Sequence, residues 1–230
     1  GTVLSVEEEV SDDGSPVLVV TLSEQHTRTM ADHDELPVAL TPGGPIKTDS
    51  LDRALAEVAA RVRDAASVPV GAGTDVLLRR APRLRAGSGL PPVVGGDDRF
   101  IDAIEAALLD MDDSYVAAQG PPGTGKTHVG GHVIARLVDR GWRGGVCAQS
   151  HAAGENMRSA VVRAGADPAQ VGKAARSTPD PTWTALARAD DLAAFAARHE
   201  QAGRGYVIGG SAWDLTNERR VARDQLDLLV

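Results

Sequence analysis

Apolar and polar positions alternate differently in the two parts of the chain. Residues 2–10 and 16–22 are two β-prone runs on either side of Ser11-Asp12-Asp13-Gly14-Ser15, a pattern that predicts a hairpin. Val17, Leu18, Val19 and Val20 are contiguous, so the second strand is expected to be covered on both faces. Residues 23–48 carry Pro37, Pro42, Pro45 and the Gly43-Gly44 pair and read as irregular, with a short strand at 36–40. Between 49 and 66, Leu51, Leu55, Val58, Ala59 and Val62 fall at one-face helical spacing. Thr48 or Asp49 can cap that helix, and Val68-Pro69 ends it. A short helix is expected at 74–80. Residues 81–96, with Pro82, Pro91, Pro92 and four glycines, read as a linker and place a domain boundary after residue 96.

From residue 97 the pattern becomes regular. A helix at 97–109 shows Phe100, Ile101, Ile104, Ala107 and Leu108 on its apolar side. The expected order after it is strand 115–118, helix 126–140, strand 145–148, helix 152–164 and a proline-bearing loop at 165–181. An Ala-rich helix at 182–201, a strand at 206–208, a helix at 213–223 and an apolar strand at 226–230 complete it. Strands that alternate with helices imply an α/β fold with a parallel sheet. The chain is thus read as a β-rich accessory segment with one helix (1–96) and an α/β domain (97–230).

Composition sharpens this only in part. The chain is 42% hydrophobic but 3% aromatic, so its core is built mostly from Ala, Val and Leu. Its one cysteine, Cys147, excludes an internal disulfide and suits a reducing compartment. No apolar run approaches a membrane span and the N-terminus does not read as a signal peptide, so a cytoplasmic protein without a membrane partner is expected. The net charge of −8 argues against simple coating of nucleic acid. Its distribution softens that argument. Residues 1–35 hold nine acids and one base, whereas 126–176 hold eight bases and three acids, a local charge of +5.

The candidate chemistry sits between the predicted strand at 115–118 and the predicted helix that follows. Gly120-Pro121-Pro122-Gly123-Thr124-Gly125-Lys126-Thr127 fits the phosphate-loop pattern G-x-x-x-x-G-K-[ST]. The three glycines let the backbone curl so that successive N–H groups face one anion. The helix adds its positive N-terminal end at the same spot. Lys126 brings an ammonium to the β- and γ-phosphates, and the Thr127 hydroxyl can ligate Mg²⁺. Gln119 and His128 flank the loop and complete the expected nucleotide contacts. ATP and Mg²⁺ are therefore the expected ligands.

Three stretches together resemble superfamily 1 helicases of the 5′→3′ branch. They are Gln119 to Thr127 with its double proline, Val146-Cys-Ala-Gln-Ser-His151 with Asn156 five residues on, and Val207-Ile-Gly-Gly-Ser-Ala212. The likeness is closest to the helicase half of bacterial proteins that fuse a RecB-like nuclease to such a helicase. It implies a RecA-like motor domain over 97–230 behind a small β-rich accessory domain. It also implies a single-stranded DNA or RNA partner at Ser150, His151, Asn156 and Ser211. The residues alone leave other roles open: Ser150 can cap a helix, Asn156 can be solvated, and Trp213 can be a core residue or a stacking one. The stretch Asp97-Asp98-Arg99-Phe100 lacks the Gln with which the family reads adenine. The chain stops at Leu228-Leu229-Val230, where the family continues into an acidic Walker B pair. An Asp-Glu pair is therefore expected next, and then a second RecA-like domain with its arginine finger. A nucleotide or small-molecule kinase is a competing reading, although 165–201 offers only Arg176, Arg188 and Arg198 for a lid. A non-catalytic nucleotide- or nucleic-acid-binding module is another.

Overall fold

Two β-strands, Thr2–Val10 (β1) and Pro16–Ser23 (β2), pair antiparallel with Val6 opposite Val20 and a bulge between Val3 and Ser5. The turn closes through Ser11 N–H to Ser15 O (2.9 Å) and Ser15 N–H to Asp13 Oδ1 (2.9 Å). Gly14 takes a left-handed φ of 82°, which a side chain rarely tolerates. In this computed structural model the described residues are 2–23, 47–87, 89–174 and 182–230. The strand expected at 36–40 lies outside them. The expectation that β2 is covered on both faces is not met. Val17, Leu18, Val19 and Val20 are all exposed in a sheet that holds only β1 and β2 among the described residues.

The chain divides into two compact units, Gly1–Ile46 and Lys47–Val230. The division therefore falls well before the boundary expected after residue 96. Helix α1, Asp49–Asp64, forms where the apolar period placed it, yet none of its residues is buried. Its Leu55, Val58 and Val62 face solvent, while Ser50 and Glu57 reach Thr216 and Arg223. Thr48 is the N-cap residue, but its hydroxyl donates to Asp52 (2.9 Å) rather than accepting a helix N–H. Helix α2, Ala72–Leu78, starts two residues before the expected one.

The stretch read as a linker is fastened to the larger unit. Asp75 is fully buried on α2, and Arg83 and Arg80 (3.6 Å) pair with it. Ser114 Oγ donates to Asp75 (3.2 Å) and accepts from Arg83 N–H (3.1 Å), and Tyr115 Oη donates to Arg80 O (2.7 Å). Leu84 bridges to Met111 in antiparallel fashion. Residues 71–86 thus hold the chain just before the glycine-rich loop.

The rest is an α/β domain. Arg99–Leu109 (α3) and Lys126–Asp139 (α4) pack through Ile101, Val133 and Leu137. An ion network joins them: Arg136 meets Asp102 (2.7 Å), Glu105 (3.0 Å) and Asp98 (3.3 Å), and Arg140 meets Glu105 (2.9 Å). Then come Arg143–Cys147 (β3), His151–Arg163 (α5) and Val171–Lys173 (β4). Thr184–Ala185 (β5), Ala189–Gln201 (α6), Tyr206–Gly210 (β6), Ala212–Leu215 (α7) and Leu228–Leu229 (β7) follow.

The five-stranded sheet has the order β5-β4-β6-β3-β7, and every pair in it is parallel. One face carries Val146, Val171 and Val207 against Ile134, Val138 and Val161 of α4 and α5. The other carries Tyr206 and Ile208 against Leu192 and Phe195 of α6. A parallel sheet covered on both sides is the arrangement that crossover helices impose.

Several expected elements differ. Residues 115–118 do not form a strand, because no described segment lies beside them to complete a ladder, and a lone extended segment leaves its amides unpaired. The loop expected over 165–181 contains a 3₁₀ turn, Pro168–Gln170, and strand β4. The helix expected over 182–201 begins only at Ala189, with β5 before it. The helix expected over 213–223 is the single turn α7. Thr216 closes it, and the chain after it forms irregular turns.

Candidate functional site

Strand β3 ends at Cys147 and strand β6 at Gly210, on one edge of the sheet. Helices α4 and α5 run opposite to the strands they flank, so their N-termini lie at that same edge, where open α/β sheets bind ligands. The glycine-rich loop precedes α4, Ser150 precedes α5, and Ser211 precedes α7.

Within the loop, Gly123 (φ 81°) and Gly125 (φ 83°) adopt the left-handed conformation that curls the chain. At Gly120 the reason is space, since a Cβ there would come within 2.6 Å of Thr124 Oγ1. That hydroxyl donates to Pro121 O (2.8 Å). The Lys126 ammonium folds back over the loop and donates to Gly120 O (2.5 Å) and Pro121 O (2.8 Å). Residues Gln119, Pro121, Pro122, Thr124, Lys126, Thr127 and His128 are exposed. The loop therefore presents backbone donors and one ammonium to solvent at a helix N-terminus, which is an anion site in chemical terms. His128 lies in the first turn of α4, and its ring sits 4.2 Å from that of His132, whose Nδ1 bonds His128 O (2.9 Å).

The other expected contacts separate into spent and available groups. Ser150 Oγ accepts from Ala153 N–H (3.2 Å) and so caps α5, and among the described residues its own O–H has no acceptor. Ser211 Oγ gives its proton to Asp214 Oδ2 (2.7 Å) in a capping box, so that hydroxyl is engaged within the protein. His151 and Asn156 are exposed on α5. Trp213 is not a core residue. It is 39% exposed, and its Nε1–H donates to Lys47 O (3.0 Å).

Two groups at this edge escaped the reading of the sequence. Arg158 is only 2% exposed and lies across Gly209 and Gly154, with its guanidinium 5.3 Å from the Trp183 ring centre. Burial pushes its pKa down. Lys173, also buried, pairs with Glu155 of α5, whose carboxyl it holds below the usual range. Both bases sit at helical or strand positions where an apolar residue is the ordinary occupant, so periodicity gave no signal. Gly154, four residues before Arg158 on the same helix face, was the available clue.

The acids near the end of the chain lie elsewhere. Asp227 forms a two-pronged pair with Arg143 (2.6 and 2.9 Å) at the amino end of β3, away from the loop. Asp224 is exposed, with a φ of 58°. Among the described residues no three His, Cys, Asp or Glu side chains are placed together to hold a metal ion. No described helix is long and apolar enough to cross a membrane. Comparison with protein-family models, with curated proteins and with solved structures gave no match.

Proposed function

We propose that this chain is the ATP-binding part of a superfamily 1 translocase with a RecA-like motor domain, which couples ATP hydrolysis to movement on single-stranded DNA or RNA. The observation that carries the nucleotide half of this reading is the loop geometry. Two left-handed glycines, a third glycine against which the Thr124 hydroxyl packs and a lysine folded onto the loop carbonyls stand at the start of a long helix. On binding, phosphate oxygens replace Gly120 O and Pro121 O as partners of the Lys126 ammonium. The Thr127 hydroxyl would be the protein group that holds Mg²⁺, which when bound would neutralise charge on the phosphates. Asp227 is held by Arg143 at the amino end of β3, the end opposite the loop, and so is not placed to hold that Mg²⁺.

The nucleic-acid half is supported by the common edge on which the loop with Lys126, Ser150, His151 and Asn156 stand. Phosphate contacts there are expected to be salt-sensitive and independent of base sequence.

Titration with a fluorescent ATP analogue in Mg²⁺ tests the first half. The Lys126→Ala protein should bind at least tenfold more weakly at an unchanged unfolding temperature, since Lys126 is exposed. Equal affinities would remove the assigned role. ATPase of the complete gene product, with and without single strands, tests the second. Stimulation that survives the Ser150→Ala, His151→Ala double change would reduce both residues to helix-cap duties.

A further inference from the structure

We infer that Trp213 is a stacking platform for an unpaired base of the bound single strand. The inference rests on the nucleic-acid reading above and adds a contact to the base itself, where the groups discussed so far meet phosphates.

Of the three tryptophans, Trp183 is buried, Trp142 is half-buried and packs beside the α3–α4 core, and Trp213 is exposed. An exposed indole ordinarily turns its N–H to water. Here the N–H is spent on Lys47 O at 3.0 Å. The only polar atom of the side chain is thus satisfied within the protein, and what remains for solvent is apolar ring. That bond also fixes the ring, so little rotamer freedom is lost when a base settles on it.

Placement supports the same role. Trp213 lies on α7, directly after the carboxyl end of β6, and α7 packs against the ends of β3 and β6. Asp214 beside it is close enough to Cys147 at the end of β3 to help raise that thiol's pKa, after burial. The indole therefore shares the sheet edge with the glycine-rich loop, Ser150 and His151. Lys47, which supplies the carbonyl, is itself exposed, and a lysine side chain starting there has the length to bring its ammonium to the phosphate of a stacked nucleotide. A charge-poor aromatic surface at a cation-bearing edge suits a strand whose bases are splayed and whose backbone is gripped by ions.

The experiment compares a labelled oligothymidylate of about a dozen nucleotides with an abasic oligomer of the same length and charge. Binding is read by fluorescence anisotropy for wild type, Trp213→Ala and Trp213→Phe. Wild type should prefer the base-bearing oligomer and lose intrinsic tryptophan fluorescence on binding it. Trp213→Ala should lower affinity for that oligomer by about 5- to 100-fold. It should leave affinity for the abasic one, and the salt dependence, unchanged. Trp213→Phe, which keeps a ring and loses the N–H, should retain most of the preference. Two results overturn the inference while leaving strand binding intact: equal binding of oligothymidylate by wild type and Trp213→Ala, or an equal loss on both oligomers. Wild type that binds the ATP analogue but neither oligomer overturns the inference together with the nucleic-acid reading.

Discussion

Arg158 raises the question of what a charge gains by burial. Its guanidinium makes no ion pair among the described residues, although Glu155 lies near enough to oppose part of the effect of burial, and its Nε has no hydrogen-bond partner. What it does have is the face of Trp183 and the room left by Gly154 and Gly209. A cation–π contact is worth about 2 kcal/mol when desolvated. The desolvation of a charge costs several kcal/mol, so stacking alone does not offset it. Arg158→Met fills similar space without the charge and should raise the unfolding midpoint, by an amount equivalent to about 1 kcal/mol. A lowered midpoint in thermal or urea unfolding would show that the guanidinium has a stabilising partner. The Arg143–Asp227 pair behaves in the opposite way. Arg143 holds the Asp227 carboxyl below its ordinary range, chiefly by hydrogen bonding and against the effect of burial. A depressed folded pKa means that the pair's stabilisation is full above the unfolded value near 4 and is lost as pH falls through the folded one. Both side chains are about one-third exposed (33% and 35%), so screening limits the effect to about 1 kcal/mol. Asp227→Asn should lower stability by about that much at pH 7 and flatten its decline as pH falls below about 4. Parallel stability–pH curves for the two proteins would contradict the assignment.

At the scale of elements, the contact between α4 and α5 is set by a missing side chain. A Cβ on Gly131 would lie 2.8 Å from the Ala160 backbone carbon and 2.8 Å from its Cβ. In an isolated helix Gly131→Ala would stabilise by about 1 kcal/mol. Overpacking of the helix contact costs about 1–3 kcal/mol, and the nearest atoms are backbone, which cannot swing aside. Packing should win, with a net loss of about 1–2 kcal/mol. An increase in stability on chemical denaturation would show that the helices can separate at little cost. The sheet shows the same logic at Gly172, where a Cβ would meet Leu186 Cδ1 at 2.6 Å. Strand β4 has Val171 as its one apolar residue, and its position is decided by β6 alongside it and by the close approach that Gly172 permits. The buried phenol of Tyr206, at the start of β6, belongs to this layer too. Burial pushes its pKa up to about 12, and Glu200 and Gln225 bond its oxygen (3.1 and 3.0 Å).

For the molecule as a whole, the consequential feature is that 47–96 belongs with the α/β unit. Asp75 is the pivot: a fully buried carboxylate whose partners lie on the returning chain at Arg80, Arg83 and Ser114. Arg83 also donates to Asp112 O (3.1 Å) and Asp113 O (2.5 Å), three residues or fewer before Tyr115. Removing one partner of a buried pair leaves the other charge uncompensated, a loss of about 3–5 kcal/mol. Arg80 stays near and softens it. Arg83→Met should therefore destabilise the unit by about 3 kcal/mol. A fragment starting at Asp97 should unfold at lower temperature than one starting at Lys47. Equal midpoints for the two fragments would restore the boundary after 96.

The sequence by itself determined the hairpin, α1 through α5 to within a few residues, the carboxyl end of α6, and the alternation that requires a parallel sheet. It also determined the glycine-rich loop at the head of α4. These are written in local terms: turn glycines at Gly14, Gly123 and Gly125, and apolar residues at strand or helix spacing. Tertiary structure alone decided what depends on a neighbour. A one-face apolar stripe on α1 says that the helix is amphipathic, not that Leu55, Val58 and Val62 find a surface to cover. Four apolar residues at 115–118 favour an extended chain but do not supply the strand that would complete its hydrogen bonds. Strand β4 is the converse, a weak pattern made extended by the buried strand β6 beside it. Periodicity could not place Arg158 or Asp75, because a buried charge is fixed by the groups that fold around it. Nor could it separate Ser150, whose proton has no acceptor among the described residues, from Ser211, whose proton Asp214 takes, since both are serines after a strand and before a helix.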